Sequence, residues 1–117
     1  MERTEAYRVL TSADRQLVLH ELVESNGAVA IDDLSRRVAA RRHRISPDQI
    51  SDTKTQRARV RLVHTHFPLL RDKKVITVDW DTRQVSLTSD ENREHLFEAA
   101  KVLDSWPPDD FLCQSIS

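Results

Sequence analysis

The chain is short of several residues, and each shortage removes a class of function. It has one cysteine, Cys113, and one glycine, Gly27, in 117 residues. A single cysteine excludes an internal disulfide and a cysteine-based zinc ribbon. A single glycine excludes a glycine-rich phosphate loop, and no nucleophile–base motif is present, so no enzyme activity, catalytic residue or cofactor is expected. No apolar run is long enough to span a bilayer. The opening MERTEAYRVL carries charges of both signs where a signal peptide would be apolar. With no internal repeat or low-complexity tract, these absences describe a soluble, cytoplasmic protein with no membrane partner, of a length that suits one compact domain.

Net charge is also lacking, at −1, but its distribution is uneven. Residues 36–74 hold twelve Lys/Arg against Asp48, Asp52 and Asp72, a local charge of +9, which leaves −10 on the rest. A basic centre between acidic ends fits a domain that turns one face to a polyanion; a solvated charged surface would give the same pattern. Fourteen of the eighteen positive residues are arginine, whose forked guanidinium matches phosphate and guanine edges.

Periodicity divides the centre of the chain into short elements. SADRQLVLHELVESN predicts a helix with Ser12 as N-cap, Asp14 in its first turn, and Leu17, Val18 and Leu22 inward. Leu19 or Val23 joins them, and Asn26-Gly27 is the stop. Ala28–Ile31 reads as a small strand. Asp32 is expected to cap a second helix with Leu34 and Val38 on its inner face and Arg36, Arg37, Arg41 and Arg42 mostly elsewhere. HRISPDQISD reads as a loop. A third helix then runs from Asp52 or Thr53 to Leu70 or Arg71. VITVDWDTRQVSLT predicts a β-hairpin with Asp81-Thr82 at its tip, Ile76, Val78 and Trp80 on one side, and Val85 and Leu87 returning. DENREHLFEAAKVLDSW predicts a last helix capped near Ser89 or Asp90 and ended by Pro107-Pro108. The order is that of a winged helix-turn-helix: mainly α with a β-hairpin, over residues 9–88. A C-terminal helix follows over 89–106, then a flexible tail over 107–117.

The third helix carries RVRLVHTHFPLL. At about 100° per residue, Val60, Val63, Phe67 and Leu70 fall in one arc and are the expected core face. Lys54, Arg57, Arg61, Thr65 and Pro68 lie opposite. His64 and His66, two residues apart, point to opposite edges of the stripe, so no shared metal is expected; zinc-binding helices space histidines by four. Pro68 has no N–H for the carbonyl of His64, which predicts a kink or tightened turn there.

The run VHTHFPLLRDKKVITVD, with LTSADRQLVLHELVESNGAVAIDDLSRRVAAR upstream, resembles a haloarchaeal winged-helix family with an H-x-H-[LF]-P-x-L segment. More distantly, HFPLLRDKKVI is similar to the end of the recognition helix in ArsR-type repressors, although Lys74 stands where those carry glycine and their metal-sensing cysteines are absent. The closer resemblance implies a DNA-binding fold.

Two functions follow as expectations. The first is a homodimeric transcription regulator on double-stranded DNA. Its third helix would read the major groove through Lys54, Arg57, Arg61 and Thr65, while Arg36, Arg37, Arg41, Arg42 and the wing's Arg83 grip phosphates. Leu96, Phe97, Ala100 and Leu103 would form the dimer surface, or else pack on their own domain. The second is a protein-interaction module on the same fold, which the near-zero net charge favours.

Overall fold

Three helix starts are set by short polar side chains. Ser12 Oγ accepts from the Arg15 amide, Ser51 Oγ from the Lys54 amide, and Asp90 Oδ1 from the Asn92 amide. In the computed structural model, which describes residues 2–103 and Trp106, these caps open three of six helices: α2 (Ala13–Ser25), α4 (Asp52–Arg61) and α6 (Glu91–Ala100). The others are α1 (Arg3–Leu10), α3 (Ile31–His43) and α5 (Phe67–Asp72). Strands β1 (Val29–Ala30), β2 (Ile76–Asp79) and β3 (Gln84–Leu87) form one antiparallel sheet in the order β1-β3-β2, with Val85 opposite both Val29 and Val78. The protein is thus mainly α-helical with a small antiparallel sheet. The expected tail over 107–117, with Cys113, lies outside the described residues.

The core centres on α2. Leu17, Val18 and Leu19 are consecutive and all have no exposure, so the middle of this helix is buried over a wider arc than one stripe. Leu34, Val38, Leu62, Phe67, Leu70, Val75, Ile76 and Val85 surround it. Val23 is 41% exposed and takes no part in that core. A smaller cluster of Ala39, Ala40, Ile50 and Ala58 joins α3 to α4, and its alanines let the two helices of the helix-turn-helix approach closely.

Several expectations need correction. Helix α1 gave no signal in the sequence, yet Ala6, Val9 and Leu10 belong to the main core. Asp32 does not cap α3: the N-cap is Ala30, without a side-chain hydrogen bond, and Asp32 sits inside the first turn. The loop after α3 contains a short 3₁₀ turn over Pro47–Gln49.

The third helix differs most from its expected course. Between α4 and α5, Leu62–His66 form a widened π-helical turn in which the Phe67 amide donates to the Leu62 carbonyl. Pro68 gives a physical reason. Its ring would crowd the carbonyl four residues back and its nitrogen cannot donate, so the helix widens there instead of tightening. The extra residue shifts the helical phase by about 100°. The chain contains two buried stripes out of phase: Thr55, Ala58 and Leu62 up to the start of the turn, Phe67 and Leu70 after it. The widened turn brings both inward. Val60, expected in the core, is instead 53% exposed, and Val63 is half-buried.

Candidate nucleic-acid interface

Helix α4 packs on α3 through Ala58 and leaves its opposite side open. Thr53, Lys54, Gln56, Arg57, Val60 and Arg61 are all exposed, and His64 and Thr65 extend the open surface into the π turn. Among the described residues Lys54 and Arg57 have no acidic partner. A shallow trough of about 660 Å³ runs along the helix, lined by Asp52, Thr53, Gln56, Arg57, Val60 and Arg61.

One flank of this face is organised from beneath by Asp14, which is only 5% exposed. Its Oδ2 accepts from Arg61 Nε at 3.0 Å and lies 3.4 Å from His66 Nε2, while its Oδ1 lies 3.4 Å from Arg42 Nη1. Burial would raise the pKa of this carboxyl. Hydrogen bonds from His66 and Arg61, then the charges of Arg61 and Arg42, outweigh burial and hold it at about 2. Arg15 Nη1 donates to His66 Nδ1 at 3.4 Å. Because arginine can only donate, the ring proton of His66 sits on Nε2, toward Asp14. His66 is therefore part of a buried polar cluster while His64 is exposed, and among the described residues no group of acids and histidines could hold a metal ion.

Arg42 from α3 and Arg61 from α4 thus share one carboxylate, and each keeps 43% of its side chain exposed. Lys54 lies nearby. Partial desolvation first, then the charges of Lys54, Arg42 and Arg61, push the pKa of His43 below its ordinary value. These four cationic or titratable side chains crowd one end of the α3–α4 face.

The other expected contacts are placed less favourably. Arg41 turns back onto α2, where its Nη1 lies 3.1 Å from His20 Nδ1 and 3.5 Å from Glu21, with 14% of its side chain exposed. It supports the α2–α3 packing rather than the open face. Arg37 lies 3.9 Å from Glu21, and Arg36 pairs with Asp52 at 3.4 Å on the surface. Arg83 sits at the hairpin tip with a left-handed φ of 57°, its carbonyl accepting from the Ile31 amide at 2.9 Å. Asp79 Oδ1 accepts from the Asp81 and Thr82 amides and shapes that tip, leaving Trp80 48% exposed. Sequence reasoning missed Asp14 and His66 as organisers, because their partners lie far away along the chain. It also misplaced Val60.

Leu96 and Ala100, expected on a dimer surface, have no exposure and belong to the same core as Ala6, Val9 and Leu10 of α1. They are internal packing residues. Phe97 and Leu103 are partly buried against that core, and Phe97 stacks at a tilt on Trp106 with ring centres 5.6 Å apart.

Helix, short strand, two helices and a hairpin, with the second of those helices open to solvent, give this chain the layout of a winged helix-turn-helix domain. Residues 7–86 match the family described as a domain of unknown function (DUF7344), and the chain belongs to that family. No curated protein and no solved structure matches it. Among the described residues no helix is long and apolar enough to cross a membrane.

Proposed function

We propose that this protein is a non-catalytic transcription regulator in the cytoplasm that binds double-stranded DNA as a homodimer, with α4 in the major groove and the β2–β3 hairpin as a wing on the flanking backbone. The observation that carries the reading is the outward side of α4: Lys54 and Arg57 are unpaired by any described acid, and nothing in the described chain covers them. Arg42 and Arg61 add a held pair of guanidinium groups at the edge of the same face, suited to phosphate. Thr65 and Arg83 stay exposed and extend the contact along the groove and at the wing. With Leu96 and Ala100 buried, a dimer contact falls to the outer sides of α1 and α6, where Tyr7, Ala99 and the 68% exposed Val102 line a groove. The resemblance to haloarchaeal winged-helix proteins and, more distantly, to ArsR-type repressors belongs to this proposal and calls for measurements up to high salt.

Fluorescence anisotropy with duplex genomic fragments tests it. Arg57→Ala and Arg61→Ala are expected to weaken binding, and each lost phosphate contact makes the slope of log affinity against log salt shallower by about 0.9. Absence of wild-type binding at every salt concentration would sink the proposal. A second reading, a protein-interaction module, draws on one observation: Arg36, Arg37, Arg41, Arg42, Arg59 and Arg61 all lie within ion-pair distance of acids, which consumes much of the basic centre. That reading gains if wild-type protein ignores DNA while remaining folded.

A further inference from the structure

Val60 is the one apolar side chain of α4 that faces solvent. The phase of the helix is set by Thr55, Ala58 and Leu62, all buried, and this directs Val60 to the opposite side at 53% exposure. A β-branched side chain is a mediocre helix former and gains nothing from packing in the open. Yet it sits midway along the exposed surface, with Gln56 and Arg57 one turn before it and Arg61 beside it, in the trough along α4. Cations on either side suit a polyanion, whereas two methyl groups between them cannot serve a phosphate. What they fit is an apolar group displayed within a charged groove. In duplex DNA that group is the 5-methyl of thymine, which lies in the major groove and marks one base of the four.

Resting on the DNA-binding reading above, we propose that Val60 is the specificity-determining contact of this face, packing its methyl groups against thymine 5-methyl groups in the major groove. Arg57 and Arg61 supply the attraction and alignment on either side; Val60 makes the affinity depend on which base lies beneath the helix. A cytosine or a deoxyuridine at that position leaves the valine facing a polar edge or empty space.

The test uses the full chain and a duplex enriched from a random-sequence library. Each thymine of that duplex is replaced in turn by deoxyuridine, which removes only the methyl group, and binding is read by anisotropy. For wild type, one or two replacements are expected to weaken binding about fourfold, the worth of one buried methyl group. Val60→Ala should bind the thymine duplex more weakly by a similar factor and become indifferent to the replacement. Arg57→Ala should bind more weakly yet keep the wild-type sensitivity to deoxyuridine. Because Val60 is exposed, an unchanged melting temperature for Val60→Ala shows that the fold is intact. Tight wild-type binding that ignores every deoxyuridine overturns the assignment and leaves the DNA-binding reading standing, as does a Val60→Ala variant that keeps the sensitivity. If no duplex is enriched and none binds, both fall together, and capture of a folded protein partner lost in Val60→Ala would then give this face to protein recognition.

Discussion

Asp14 places a carboxylate where burial opposes ionisation, and three partners from α3, α4 and the π turn reverse that preference. Its pKa lies at about 2 in the folded chain against 3.8 for an unperturbed aspartate. A carboxyl lowered on folding contributes its full stability above the unfolded value and loses it as pH falls through the folded one. The contribution is therefore whole above about pH 4 and gone below about pH 2, and the shift corresponds to about 2 kcal/mol. Asp14→Asn keeps the shape and removes the charge. Urea denaturation should show it about 2 kcal/mol less stable at neutral pH, with the difference from wild type shrinking toward pH 2. A constant difference across that range would show that the charge is not what stabilises the site. The phase of α4 gives a second prediction at this scale. Leu62→Ala removes a fully buried side chain and should cost about 2–5 kcal/mol. Val60→Ala should change stability by less than about 0.5 kcal/mol. Reversed magnitudes would restore Val60 to the core.

Three of the four residues that end elements in the left-handed region carry long cationic side chains with no preference for it, and only Asn26 is a common choice there. Asn26, Arg44, Lys74 and Arg83 take positive φ angles of 51°, 58°, 61° and 57°, while the single glycine does not. Lys74 turns the chain from α5 into β2, its amide donating to Arg71 and its carbonyl accepting from Thr88 Oγ1. Left-handed backbone costs a side-chain-bearing residue about 1–2 kcal/mol. Lys74→Gly should therefore raise stability by about 1 kcal/mol, read as a melting temperature several degrees higher. A lower melting temperature would show that the lysine side chain itself holds the turn. Much at this scale was legible in the sequence, because local chemistry decides it: Ser12 caps α2, Asn26 stops it, Val29–Ala30 form the strand, and alternation marks the hairpin. What stayed hidden depends on distant partners. α1 is eight residues long with its few apolar side chains among charges, so its packing against α6 and α2 is what makes it a helix of the core. The π turn is a compromise between two stripes whose inward direction the rest of the fold sets. Of the candidate site, the cations of α4 could be read directly from spacing. Their sorting into open, held and internally paired groups could not, because Asp14 lies 47 residues from Arg61.

Across the whole molecule, acidic residues outside the basic centre fold back onto it. Glu5, Asp14, Glu21 and Asp32 each lie within ion-pair distance of a Lys or Arg from the 36–74 segment, so the charge asymmetry along the chain is partly offset in space. Lys54 and Arg57, on the open side of α4, have no acid within that distance among the described residues. The same closure holds for the apolar core. α1 and α6 come from the two ends of the described chain, pack on one another, and contribute Ala6, Val9, Leu10, Leu96 and Ala100 to the core that α2 centres. Residues 91–100 are therefore part of the domain's own packing, and this separates two origins of stability. If Leu96 serves the monomer's core, Leu96→Ala should cost about 2–5 kcal/mol. That loss should be the same at every protein concentration, because no association equilibrium is linked to it. A residue buried between subunits would instead give a melting temperature that rises with concentration in wild type and loses that dependence in the variant. Calorimetry of both proteins over a wide range of concentration, with sedimentation velocity on the same samples, distinguishes the two. A concentration-dependent loss for Leu96→Ala would move α6 from the core to the interface, and α1 with it.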